Sequence, residues 1–213
     1  MRALPLALIL ATSPAIGPSS AVSASEAPTI RYPAAAEFLV IELYPGGPRS
    51  AEGDAAFTRI YGDGRVHVHR PSFYRESGDF EAWLRLRDLD SLLRDFAADG
   101  ILHFDLRAVK ERRLVAEREQ AEKEGSVPGI ADAATVTLTI RLDQYAPAGA
   151  TDPTDDYWKT ISWYALDEDA EWYPEIEPLV RLQRAVSRLE DLTGHAMAAA
   201  RSGDTIVALP APR

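Results

Sequence analysis

Two imidazoles, His67 and His69, stand two residues apart in the segment 65–70 (RVHVHR). In a strand, residues i and i+2 point to the same side. Two rings on one sheet face can ligate Zn or Cu once a third ligand approaches, so His67 and His69 are the candidate metal ligands. The competing expectation is a solvent-facing polar pair opposite Val66 and Val68, as strict alternation requires, and no third ligand has motif spacing. His103 lies in an apolar segment and reads as a satisfied core histidine, while His195 follows a helix stop and reads as a solvated terminal residue.

Trp158, Trp163, Tyr164, Trp172 and Tyr173 cluster in the chain. They serve either as packing on and around the last strand or as an aromatic patch on an open sheet face that binds a protein, peptide or glycan. Two acidic stretches (Asp152, Asp155 and Asp156; Asp167, Glu168, Asp169 and Glu171) invite Ca²⁺, but they lack the alternating ligands, central glycine and terminal glutamate of an EF-hand loop. Neither Gly-x-Ser-x-Gly nor Ser-x-x-Lys occurs. Gly62-Asp63-Gly64 joins two strands and lacks the helix N-terminus that binds phosphate. Carboxylate pairs such as Asp79 and Glu81 suit acid–base work, yet 33 acidic residues make accidental pairs inevitable. No cofactor is implied.

The elements that position these residues follow from periodicity. Residues 37–43 form a short apolar strand ended by Pro45, Gly46, Gly47 and Pro48. Residues 57–61, the Asp63-Gly64 turn and residues 65–70 form a hairpin, and 80–86 alternates as a third antiparallel strand. Leu89, Leu92, Leu93 and Phe96 mark one face of a helix over 87–98, with Asp88 as N-cap. Ile101 to Phe104 is a short buried return. Residues 106–124 form a charged, mostly solvated helix with opposite charges four apart. Residues 134–142 and 158–166 pair as a long hairpin across an acidic loop, with Ile161, Trp163 and Ala165 on one face. A second acidic loop covers 167–178. Leu179, Leu182, Val186 and Leu189 then face inward from a helix over 179–193, stopped by Gly194.

Strands and helices therefore come in blocks, which predicts an α+β fold. The expected architecture is an antiparallel sheet of about six strands, a meander plus a hairpin. Two amphipathic helices pack one face, the other face is open to water, and one charged helix lies at the edge.

Residues 57–104 carry a plan of strand, Tyr-Gly-Asp-Gly turn, strand, Gly-aromatic strand, Leu-rich helix and Gly-hydrophobic-Phe return. With the strands at 134–142 and 158–166 and the segment 174–192, this plan resembles an uncharacterised family of exported bacterial proteins, a domain of unknown function, over about residues 37–193. The resemblance implies a fold and no chemistry. Many relatives carry paired cysteines ahead of the first hairpin strand. This chain has Pro45 to Asp54 there and no cysteine, so any redox or metal role of those cysteines does not transfer.

The first residues read as a signal peptide: Arg2, an apolar run over 3–11, then small residues up to Val22-Ser23-Ala24, with cleavage expected after Ala24. The run falls short of the ~20 residues of a membrane span, and no other segment suits one. The expected organisation is a signal peptide over 1–24, a loose lead-in over 25–36, one domain over 37–194 and a mostly disordered tail over 195–213. The absence of cysteine removes lipid attachment, Fe–S clusters and thiol nucleophiles from consideration. With 23 basic against 33 acidic residues the net charge is −10, a surface that repels phosphate backbones and anionic membranes. The expectation is thus an exported, non-enzymatic binding or envelope-associated module. A metal-dependent hydrolase or carrier using His67 and His69, and an inhibitor or structural domain acting through an edge strand, are the alternatives.

Overall fold

The structure is a computed structural model that describes residues 27–46, 54–125 and 132–211. The expected signal peptide lies outside the described residues. Period-two alternation forms the hairpin of β3 (Phe57–Tyr61) and β4 (Arg65–Arg70). Thr58, Ile60, Val66 and Val68 are buried, while Arg59, His67 and His69 turn to the other face. Glycine is required in the turn: Gly64 has φ +87°, and a Cβ there would meet the Leu84 carbonyl oxygen at 2.2 Å.

β5 (Gly78–Leu84) extends the meander. The expected strand ran to Leu86, but Leu86 instead opens α1 (Leu86–Ala98) and is exposed. The Arg85 carbonyl accepts from Asp88 and Leu89 N–H, which turns the chain into the helix one residue early. Asp88 therefore lies in the first turn and is not the N-cap. β6 (Thr135–Ala146) and β7 (Thr154–Tyr164) form a hairpin longer than expected, because the flanks of the acidic loop also pair, Gln144 with Asp155. β2 (Leu39–Tyr44) lies between the two blocks, Leu43 opposite Thr58 on one side and Leu138 on the other.

Two short strands depart from the expected plan. β1 (Thr29–Arg31), in the lead-in expected to be loose, pairs with the end of β6. β8 (Ile206–Val207) pairs in parallel with β5. Among the described residues the sheet is therefore mixed and has eight strands, in the order β1-β6-β2-β3-β4-β5-β8 with β7 on β6, and not six antiparallel ones.

α1 and α4 (Glu177–Ser202) close the apolar side. Leu92, Phe96, Leu182 and Val186 are all buried in one cluster with the strand residues. α2 (Leu106–Glu124) occupies its expected span, with Val109 as its buried residue, Asp105 accepting from Ala108 N–H and Gly125 left-handed at its end. The acidic stretch after β7 is not wholly a loop: it contains α3 (Leu166–Trp172). Nor does α4 stop at Gly194. A helical glycine costs about 1 kcal/mol, but Ala196 and Met197 are buried one turn further on and outweigh it, so the helix ends at Gly203. The fold is α+β, with four helices among the described residues, none of them long and apolar enough to cross a membrane.

Candidate functional site

His67 and His69 share the open face, as alternation predicts. Their register partners on β5 are Glu81 and Asp79, and on β3 Arg59 and Phe57. Asp79 Oδ1 lies 3.1 Å from His67 Nε2 and 2.8 Å from His69 Nδ1. Asp54 lies 3.0 Å from His69 Nε2. A carboxylate on each nitrogen favours the protonated form of His69. The hydrogen bond to Asp79 pushes its pKa up, burial opposes this, and the hydrogen bond to Asp54 adds to the rise; Asp79 is pushed down in return, mainly by His69. Phe57 stacks on the His69 ring at 5.2 Å. Among the described residues no group of three or more His, Cys, Asp or Glu could hold a metal ion. Both rings are turned onto carboxylates, so the geometry gives the metal reading no support.

The aromatic cluster is divided by the pleat. Trp163 and Tyr173 are buried, whereas Trp158 and Tyr164 are 63% and 47% exposed on the opposite face. Trp172 is half-buried. Tyr164 pairs with Thr135 at one end of the β6–β7 ladder, and Trp158 pairs with Arg141 near its middle. Three strands, β6, β2 and β3, separate β7 from the His pair on β4. The five aromatics therefore form no single patch. Asp169 in the second acidic stretch is also buried: it accepts from the Trp163 indole N–H at 2.9 Å and from Arg113 at 3.1 Å. His103 is exposed rather than in the core, with Nδ1 2.9 Å from the Tyr145 hydroxyl. His195 is exposed, but within α4 and not beyond its end.

A feature absent from the sequence expectations lies on the other side of Phe57. A pocket of about 390 Å³ opens between the sheet end and α4, walled by Leu43, Pro45 and Phe57, at the lower end of the range for small-ligand sites. Its polar lining comes from Thr58, Arg70, Tyr74, Glu190 and Thr193. Thr193 donates to the Leu189 carbonyl at 2.8 Å, so Thr58 donates to Thr193 across their 2.7 Å contact. The half-buried arginines Arg59, Arg65 and Arg113 are each ion-paired, with Glu42, Glu81 and Asp169, as is the buried Arg188 with Asp95. Arg70 is also half-buried, yet it has no hydrogen bond or ion pair among the described residues; its guanidinium lies over the Tyr74 ring at 5.0 Å. Glu190 reaches solvent while lining the same pocket. Partial withdrawal from water and then the charge of Asp167 push its carboxyl above the usual range, with Arg70 opposing.

A signal for this pocket was present in the periodicity. Thr58 precedes Ile60, and Arg70 follows Val66 and Val68, on the inward phase of their strands, and Thr193 continues the inward stripe of α4. Polar groups at core-phase positions mark a cavity or a polar contact.

The arrangement defines an α+β domain with an internally bonded polar face on one side of its sheet and a charged pocket at one end. No family model, curated protein or solved structure matches this chain.

Proposed function

We propose that this chain is an exported, non-enzymatic binding domain that takes a small ligand with an anionic group in the pocket between the sheet end and α4. The observation that carries the reading is Arg70: a half-buried guanidinium, aimed with the core phase of β4 into a pocket, without an ion-paired carboxylate among the described residues. Withdrawing an ion from water costs free energy that a partner must offset, and Arg59, Arg65, Arg113 and Arg188 each have such a partner. Export is supported by the leader-like first 24 residues and by the resemblance to exported proteins. The non-enzymatic character is supported by the His–Asp network: its rings are engaged with carboxylates on the open sheet face and are separated from the pocket by Phe57. The test is thermal melting with a panel of small carboxylates and phosphates, comparing the native chain with Arg70→Gln. Stabilisation of the native chain alone is expected. Equal shifts in both would refute the site, and substrate turnover abolished by one polar substitution would refute the non-enzymatic reading.

A second reading is favoured by β7, an 11-residue strand that pairs with β6 alone among the described residues. Its outer edge can accept a strand from a partner protein. Slowed amide exchange on β7 in the presence of envelope extract supports this; unchanged exchange removes it.

A further inference from the structure

We infer that the ligand of the Arg70 pocket is a small zwitterion of the amino-acid type, its carboxylate on Arg70 and its ammonium on Glu190 and the Thr58 hydroxyl oxygen. This inference rests on the binding reading above and goes further by naming the ligand class. Arg70 and Glu190 line one pocket and feel each other's charge, yet they form no ion pair. Each is therefore available to a group of opposite charge.

A plain anion does not fit this arrangement. It would neutralise Arg70, the cation that eases the charge on Glu190, and would bring another negative charge towards a carboxyl already raised by loss of water and by Asp167 and Asp191. A ligand with its own ammonium removes that conflict, because it supplies the cation that Glu190 lacks. The pocket floor agrees. The Thr193 hydroxyl is engaged by the Leu189 carbonyl, so Thr58 uses its proton on Thr193 and keeps its oxygen lone pairs as acceptors. That oxygen can receive an ammonium and cannot donate to a second carboxylate. Phe57, Tyr74 and Leu43 provide the apolar wall for a side chain.

Titration calorimetry on the full chain tests this with three matched probe sets: free L-amino acids, their N-acetyl derivatives and their carboxamides. One or more free amino acids should bind saturably, and each cap should weaken that binding by about tenfold or more, the usual scale for losing one charge-assisted contact. Arg70→Gln should abolish it. Glu190→Gln should weaken the free amino acid by about tenfold while leaving the N-acetyl form no weaker, since the repelling carboxylate is gone. N-acetyl forms that bind as tightly as free ones, or a silent Glu190→Gln, would mean a plain anion site: the zwitterion inference then fails while the Arg70 reading stands. Carboxamides that match the free forms would overturn both, and the absence of binding by any probe would overturn the zwitterion inference, leaving the Arg70 reading to the carboxylate and phosphate panel. The capped probes act on the native chain, so the outcome does not depend on whether a variant folds.

Discussion

His69 and Asp79 face each other across the β4–β5 ladder, Nδ1 to Oδ1 at 2.8 Å, with Asp54 on the far side of the same ring. The contact ties a histidine raised above about 6.5 to an aspartate lowered below about 3.9. The raised histidine contributes stability that is full below its unfolded pKa and is lost as pH rises through its folded pKa. The lowered aspartate contributes stability that is present above its unfolded pKa and is lost as pH falls through its folded one. The pair is therefore worth most between about pH 4 and 6.5. Its groups are partly exposed, so the gain stays within about 1 kcal/mol. Urea unfolding at pH 5.5 and 9 should show a larger difference for the native chain than for His69→Gln; identical pH dependence would refute the clamp.

Asp169 is the anchor between α3, β7 and α2. Removing it leaves Arg113 and the Trp163 indole N–H without their shared acceptor in a buried setting. Asp169→Ala should cost about 3 kcal/mol in chemical unfolding and shift Trp163 fluorescence. A cost below about 1 kcal/mol would show that Arg113 finds Glu117 sufficient.

The buried Thr58–Thr193 pair predicts non-additivity. Thr193→Val leaves the Thr58 hydroxyl without its acceptor and should cost about 1–3 kcal/mol. Thr58→Val together with Thr193→Val removes both polar groups at nearly constant volume and should cost less than the sum of the two single variants. Additive costs in a double-mutant cycle would sink the pairing.

Gly64→Ala combines a left-handed backbone with a Cβ 2.2 Å from the Leu84 carbonyl oxygen. The expected loss exceeds about 1 kcal/mol, read as a lower melting temperature. An unchanged melting temperature would mean that the turn readily adopts another conformation.

The span of α2, the 57–70 hairpin and the inward phase of Val66, Val68, Leu92 and Leu182 were legible in the residues themselves. Each depends on a local period, 3.6 or 2, that decides which way a side chain points. The same rule already placed Trp163 opposite Trp158 and Tyr164, so the aromatic cluster was divided before folding. Local period does not decide which strands become neighbours. The insertion of β2 between β3 and β6, the parallel pairing of β8 with β5 and the capture of β1 by β6 come from long-range closure of one core. The continuation of α4 through Gly194 was likewise settled by burial beyond the glycine, which outweighs helix propensity. Arg70 and Glu190 lie 120 positions apart. The sequence determined that Arg70 breaks an apolar phase, but only the packing of α4 on the sheet placed Glu190 beside it, because a site made by two distant elements exists only once the core between them is closed.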